Sequence, residues 1–175
     1  MKKLLFSAAV AALFFTACKK KDDDSNAGSF SVNGKSYAVN YGYDGTYIED
    51  GVSDGDVAFV SHSFSETDND KFSGTYSYVD LGIDSLIDGA TYTYLASYED
   101  GYNKAKNFGW ADIAAGMKVV NGEYVESDGE VSLGSPTSGT VTVKKSGSRY
   151  TFTFELVYST STTVKGQYTG TLEKY

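Results

Sequence analysis

The 175-residue chain carries 23 acidic and 15 basic side chains, and its formal net charge is −8. Such an acidic surface repels the phosphate backbone of nucleic acids, so we predict no nucleic-acid partner. Cys18 is the single cysteine, which excludes an intrachain disulfide. With His62 as the single histidine, a zinc site built from several His or Cys ligands is also excluded.

The first 17 residues have the organisation of a secretory signal peptide. Met1-Lys2-Lys3 is a basic start, and Leu4 to Phe15 is an apolar run too short to anchor the chain across a bilayer. Residues 18–28 follow, and most of them are charged or polar, with three lysines and then three aspartates after the cysteine. Because such a segment has little apolar surface to bury, we predict a disordered tether.

Phe15-Thr16-Ala17-Cys18 resembles a bacterial lipobox, in which the cysteine is lipidated and becomes the new N-terminus. The block of lysines and aspartates at 19–24 resembles the export signal of surface lipoproteins of the Bacteroidota. These resemblances imply that Cys18 carries acyl chains, which together anchor a protein stably. The implied location is the outer membrane, with the domain facing outside. A plain cleaved signal peptide and a plain solvated spacer are the alternatives.

Residues 29–175 are predicted to form a single antiparallel β domain. The clearest pattern runs from Gly139 to Leu172, where apolar side chains alternate with Thr, Ser and charged side chains over three segments. Successive side chains of a strand point to opposite faces, so this alternation predicts a three-stranded meander with one buried face. The residues expected to share its buried face in the middle strand are Tyr150, Phe152, Phe154, Leu156 and Tyr158.

A hairpin is predicted at the start of the domain, with Asn33-Gly34 as its two-residue turn. Its second strand is expected to continue through Tyr41 and Tyr43, and the acidic segment Glu49–Asp56 is expected to be a loop. Further strands are predicted at Val57–Phe64, Tyr76–Ile83 and Thr91–Leu95. Trp110–Met117 suits a short helix or a strand, and Gly116 favours the strand.

Strands separated by Asp-Gly and Asn-Gly turns predict an all-β fold, an antiparallel β-sandwich or a barrel, with lipocalin-like closure possible. The opening Val32-Asn33-Gly34-Lys35 and the closing meander resemble small β-rich surface lipoproteins of the Bacteroidota, most of which are uncharacterised. This resemblance concerns lineage and fold, and it supplies no site.

The segment from Tyr98 to Trp110 is the candidate ligand-binding region. Sugar rings stack on aromatic side chains while amide and carboxyl groups bond their hydroxyls, and irregular segments on a rigid sheet often carry function. An alternative is that these aromatics plug one end of the core. The candidate residues are Trp110, Tyr98, Tyr102, Phe108 and Asn107.

Other chemistries have little support in the sequence. There is no Gly-x-Ser-x-Gly nucleophile elbow, and His62 lies in a predicted strand, where a histidine is more often structural than a general base. We therefore predict no catalytic residue, no cofactor and no metal site. Calcium bound by the acidic segment around Asp50 and Asp56 is kept as an alternative.

Asp84-Ser85-Leu86 resembles the O-glycosylation acceptor that Bacteroidota use on exported proteins, so Ser85 is a candidate modification site. The expected function is that of a non-enzymatic, lipid-anchored binding or structural domain of the cell envelope, with a glycan or another envelope protein as partner. The alternatives are a small glycan-acting hydrolase that uses paired carboxylates and a lipocalin-type carrier of a small apolar ligand.

Overall fold

A computed structural model of the protein describes residues 25–67, 70–158 and 162–175. The predicted signal peptide, Cys18 and most of the predicted tether therefore lie outside the described residues. The described chain is nearly all β, which confirms the predicted fold class. Its helical part is one short helix, α1 (Phe64–Thr67).

In chain order the described strands are β1 (Ala27–Val32), β2 (Lys35–Val39), β3 (Tyr41–Asp44), β4 (Tyr47–Glu49), β5 (Val52–Asp54), β6 (Val57–Val60), β7 (Gly74–Leu81), β8 (Thr91–Tyr94), β9 (Asn107–Phe108), β10 (Ala111–Val120), β11 (Glu123–Val125), β12 (Val131–Leu133), β13 (Ser138–Ser146), β14 (Arg149–Val157), β15 (Thr163–Gly170) and β16 (Glu173–Lys174).

The described strands form two large sheets and a separate hairpin. Sheet A has the order β2-β1-β15-β14-β13-β8-β9, and sheet B has the order β11-β10-β7-β6-β3-β16, with β12 also paired to β10. The hairpin β4–β5 belongs to neither sheet. The sheets pack as a sandwich and do not close into a barrel, so the lipocalin-like closure considered above is not observed. Two short pairings, β8 with β9 and β16 with β3, are parallel.

Aromatic side chains from both sheets fill the space between them. Phe59 of sheet B lies 4.9 Å from Phe152 and 4.7 Å from Tyr168 of sheet A, measured between ring centroids. Strands β13, β14 and β15 form the predicted meander, and Phe152, Phe154 and Leu156 are buried as predicted. Burial of such large apolar side chains is the main stabilising contribution to the sandwich.

The predicted first hairpin is confirmed. Strands β1 and β2 pair, and Asn33 and Gly34 have φ angles of 52° and 76°. Both central residues of a type I′ turn need positive φ, which an Asn-Gly pair adopts readily. The sequence therefore determines this turn locally.

The predicted continuation through Tyr41 and Tyr43 is wrong. Strand β2 ends at Val39, and the amide of Asn40 donates to the carbonyl of Val60 at 2.9 Å, which directs β3 into sheet B. The chain thus crosses between sheets at a point where the alternation of apolar residues gives no sign of it.

Two further expectations need correction. The acidic segment Glu49–Asp56 is mostly the hairpin β4–β5, turned by Asp50 and Gly51 with φ angles of 52° and 78°. The strand predicted at Val57–Phe64 ends at Val60, and helix α1 begins after Ser63. Ser63 and Glu66 form a capping box, because the side chain of each accepts a hydrogen bond from the backbone amide of the other.

Strand β10 confirms that the segment after Trp110 is extended and not helical. A β-bulge interrupts it at Gly116, which has a φ of 74° and donates its amide to the hydroxyl of Ser77 at 3.0 Å. Beyond the bulge Met117 pairs with Tyr76, and its side chain is partly exposed, whereas Ile113 is buried. The bulge therefore changes which side chains face the core half-way along the strand.

Candidate functional site

A cleft of about 660 Å³ lies at one end of the sandwich, between the hairpin β4–β5 and the segment 84–87. This volume falls within the range usual for small-molecule sites, which is about 300–1,000 Å³. Its lining combines carboxylates, hydroxyls, aliphatic side chains and tyrosines. The residues that line it are Asp44, Thr46, Tyr47, Ile48, Ser53, Asp84, Ser85, Leu86, Ile87, Tyr150 and Lys174.

One half of the cleft floor is built around Asp84, whose side chain is 10% exposed. The hydroxyl of Tyr102 donates to Asp84 Oδ2 at 2.8 Å, and Lys104 Nζ lies 3.7 Å from the same oxygen. Burial raises the pKa of Asp84; the bond from Tyr102 and the charge of Lys104 oppose the rise, and the Asp54 carboxyl adds to it. Lys104 also donates to the carbonyl of Ser53, which joins the hairpin to Asp84.

The other half of the floor is an ion pair between Asp44 and Lys174. Lys174 Nζ lies 3.0 Å from Asp44 Oδ1, and it donates to the carbonyl of Thr46 at 2.5 Å. Asp44 Oδ1 also accepts bonds from the amide of Thr46 at 2.9 Å and from its hydroxyl at 2.6 Å. The pairing of strand β16 with β3 places Lys174 beside Asp44.

Apolar side chains form the rim of the cleft. Ile48 and Tyr47 on the hairpin are 74% and 53% exposed, and Ile87 on the opposite wall is also exposed. Exposed apolar groups next to enclosed carboxylates are typical of a binding site, because the two can contact the flat faces and the hydroxyl edges of one ligand. The cleft is therefore suited to a polyhydroxylated ligand with apolar faces.

The predicted ligand-binding residues are only partly brought together. Tyr102 supports the cleft through Asp84, as described above, but Tyr98 projects into solvent at 88% exposure. Phe108 is completely buried in the core. Asn107 holds its own loop, since its side chain accepts from the amide of Asn103 at 3.0 Å and donates to the carbonyl of Thr93 at 3.0 Å.

Trp110 is half-buried, and its indole lies against the backbone of Gly82, where any added side chain would clash with the ring. The main chains of the two residues also bond, with the amide of Gly82 donating to the carbonyl of Trp110 at 2.9 Å. Trp110 does not line the cleft.

Ser85 lines the cleft and is partly exposed. Its carbonyl accepts a bond from the hydroxyl of Tyr92, which fixes the backbone of this wall. The modification proposed at Ser85 stays a prediction. A glycan attached there and a ligand in the cleft would compete for the same space.

His62 lies in the bend after β6 and not in the strand predicted for it. Its ring packs on Phe72 at 5.0 Å, and its Nδ1 is 3.8 Å from a carboxylate oxygen of Glu66. Within residues 25–67, 70–158 and 162–175, no three His, Asp or Glu side chains are grouped to hold a metal ion. The same residues include no helix long and apolar enough to cross a membrane.

Comparisons with models of protein families, with curated proteins and with solved structures find no match to this chain.

Sequence reasoning missed most of the cleft. Asp44, Asp84 and Lys174 are far apart in the chain, and no motif joins them. The one available signal was the segment from Tyr47 to Val52, where exposed apolar residues stand inside an otherwise acidic stretch. A solvated loop has no need of such residues, so their presence could have marked the hairpin as a contact surface.

Proposed function

We propose that this protein is a lipid-anchored domain of the cell envelope that binds a short glycan in the cleft between hairpin β4–β5 and segment 84–87. The observation that carries the proposal is the combination of the buried Asp84 and the partly buried Asp44 on the floor with exposed Tyr47 and Ile48 on the rim. Carboxylates accept hydrogen bonds from sugar hydroxyls, and an exposed tyrosine offers a ring on which a sugar face stacks.

The lipid anchor is supported by the lipobox-like residues before Cys18 and by the tether that follows it. The first described residues are fixed to the sandwich at the end where the cleft lies. Arg149 donates to the carbonyl of Ser25 at 3.1 Å, and the next residue, Tyr150, lines the cleft. A ligand bound there would lie near the start of the tether, and hence near the membrane to which the tether leads.

A glycan array followed by titration calorimetry tests the binding proposal. The protein is the mature chain from residue 18 with Cys18→Ser, so that it carries no acyl chains. We expect Tyr47→Ala and Ile48→Ala to weaken binding at least tenfold while the melting temperature stays within about 2 °C, because both side chains are exposed. Tyr98→Ala removes an equally exposed tyrosine outside the cleft and is the matched control.

Absence of binding to every glycan on the array, or equal binding by Tyr47→Ala and Tyr98→Ala, would reject the cleft as a glycan site. A partner bound elsewhere on the domain would show binding that is insensitive to Tyr47.

A second candidate function is glycan hydrolysis, because two carboxylates, Asp44 and Asp84, line one cleft. The raised pKa of Asp84 suits a general acid, and Asp44, held 3.0 Å from Lys174 Nζ, supplies the second carboxyl group. Release of new reducing ends, lost in both Asp44→Asn and Asp84→Asn, is the expected result for a hydrolase. Binding without any release during long incubation would reject it.

A further inference from the structure

A pair of carboxyl groups lies on the outer face of sheet B, outside the cleft. Asp80 belongs to β7, and Asp56 stands directly before β6. Because Ala58 pairs with Asp80, the Asp56 and Asp80 side chains lie on the same face of strands β6 and β7, and Asp112 lies opposite Asp80 on the neighbouring strand β10. Asp80 Oδ1 is enclosed and has no hydrogen-bond partner among the described residues. An ionised carboxylate with an enclosed, unpaired oxygen is costly, so this environment favours the neutral acid.

The electrostatics of the pair agree with this geometry. Burial raises the pKa of Asp80 to about 8; the Asp56 carboxyl and the charge of Asp112 add to the rise, and the backbone amide of Leu81 opposes it. At neutral pH Asp80 therefore keeps its proton beside the Asp56 carboxyl group.

Tyr175 is bound to the same pair. Its hydroxyl donates to Asp56 Oδ2, and its ring packs edge-on against Tyr43 and Phe64, with centroids 5.9 and 5.5 Å away. The residue before it, Lys174, forms the ion pair on the cleft floor. Two consecutive residues thus connect the carboxyl pair to the cleft.

The other charged or titratable groups around the pair come from every strand that packs against it. They are Tyr43, Tyr76, Tyr78, Asp112 and Asp44, and Lys174 lies 3.0 Å from Asp44. Burial raises the pKa of Tyr76 to about 12 and raises the pKa values of Tyr78 and Tyr175 as well. These phenols therefore keep their protons throughout the range in which Asp80 ionises.

We propose that Asp56 and Asp80 form a pH-sensitive latch for strand β16. While Asp80 is protonated, Asp56 holds Tyr175, and Lys174 is kept on the cleft floor. When Asp80 loses its proton to solvent, two negative charges stand side by side opposite a third at Asp112. The Asp56 side chain then turns outward, and its bond to Tyr175 breaks. The latch itself is independent of any ligand, whereas its effect on glycan binding rests on the proposed function.

Nuclear magnetic resonance of the mature Cys18→Ser chain tests the latch without a ligand. We expect cross-relaxation between the rings of Tyr175 and Phe64 at pH 6 and its loss at pH 9.5, with a midpoint near 8. Asp80→Asn keeps a polar side chain at this position but cannot ionise. The contact between the Tyr175 and Phe64 rings should therefore persist at pH 9.5 in this variant. Asp56→Asn provides a second variant without the repulsion and should behave in the same way if Asp80→Asn fails to fold.

Asp112→Asn is the control for general loss of charge on this face. It should still release the contact, with a lower midpoint, because one charge that opposes ionisation of Asp80 is gone. The latch is rejected if the wild-type contact persists at pH 9.5, or if the Asp80→Asn and Asp56→Asn variants lose it at the same pH as the wild type.

A glycan titration at pH 6 and pH 9.5 then separates the two proposals. Weaker glycan binding at pH 9.5 in the wild type but not in Asp80→Asn would show that the latch controls the cleft. Equal weakening in both proteins would show that it does not. If no glycan binds at either pH, the proposed function fails while the ring-contact result decides the latch by itself.

Discussion

Trp110 packs where a single glycine makes room for it. The indole lies on the backbone of Gly82, and the neighbouring main chains are bonded, so the ring covers the end of strand β7. A half-buried ring in that position stabilises the strand end by excluding water from its backbone bonds. The alternation pattern gave no information about this contact, because Gly82 lies 28 residues earlier in the chain.

Replacement of Trp110 by alanine should lower the free energy of unfolding by about 2 kcal/mol, less than for a fully buried tryptophan, because only part of the ring leaves water on folding. Glycan affinity should be unchanged, since Trp110 does not line the cleft. Urea denaturation and calorimetry measure the two effects, with Tyr98→Ala as an exposed aromatic control. Lost affinity with unchanged stability would instead support the platform role predicted from the sequence.

The raised pKa of Asp80 predicts how the stability of the fold depends on pH. Its folded-state pKa of about 8 lies above the ordinary value of 3.8, so between these values the folded chain binds more protons than the unfolded chain. The contribution of Asp80 to stability is therefore present below about pH 4, falls as the pH rises towards 8, and then stays constant. Urea midpoints at pH 5, 7 and 9 should show this fall in the wild type.

Asp80→Asn should remove that part of the pH dependence, and Asp128→Asn, at an exposed turn, controls for the loss of one negative charge. An unchanged slope in Asp80→Asn would mean that another group titrates in this range.

At the scale of elements, the hairpin β4–β5 is the part of the structure most separate from the core. It belongs to neither large sheet, and a two-stranded hairpin is marginally stable without support. The support here comes from Lys104, which bonds the carbonyl of Ser53 and lies near Asp84. The hairpin is thus held in place by the floor of the cleft that it helps to form.

Replacement of residues 47–54 by Asn-Gly should leave the sandwich folded, because the bonds between β3 and β6 lie outside the replaced segment. Glycan binding should be lost, because one wall of the cleft is removed. A thermal melt and a binding titration measure these outcomes. Loss of cooperative unfolding would show that the hairpin contributes to the core. Retained glycan binding would show that the site lies outside this cleft.

For the whole molecule, the place where the first described residues join the sandwich would decide how a tether presents it. Asn26 accepts bonds from the amide and hydroxyl of Thr171 at 2.9 and 3.3 Å, so the start of the domain is held to the end of strand β15. This end also carries the cleft. If Cys18 is lipidated, the cleft faces the side of the molecule from which the anchor leaves.

Cys18→Ala should abolish incorporation of labelled palmitate and move the protein out of the membrane fraction. The variant carries no acyl chains, and the apolar run at its N-terminus is too short to anchor it across a bilayer. Its circular dichroism and melting temperature should equal those of the Cys18→Ser domain, since the described core begins after the tether. Proteinase treatment of intact cells tests the facing: digestion supports surface display, and full protection would contradict it.

The sequence alone determined the local features of this protein. Alternation with a period of two predicted the strands of the meander and the residues on their buried face, and Asn33-Gly34 predicted a turn, because both depend on residues close in the chain. The β class followed from the same patterns. The single cysteine was likewise enough to exclude an intrachain disulfide. The acidic charge predicts that nucleic acids are not partners.

Only the tertiary structure decided which strands are neighbours and which side chains meet at the sheet ends. Tyr43 was expected to extend the first hairpin but belongs to the second sheet, and Asp84, Tyr102 and Lys174 meet around one cleft from three separate segments. Such contacts depend on pairing between strands far apart in the chain, and the packing of the whole core determines which strands pair. No local pattern in the chain encodes that choice.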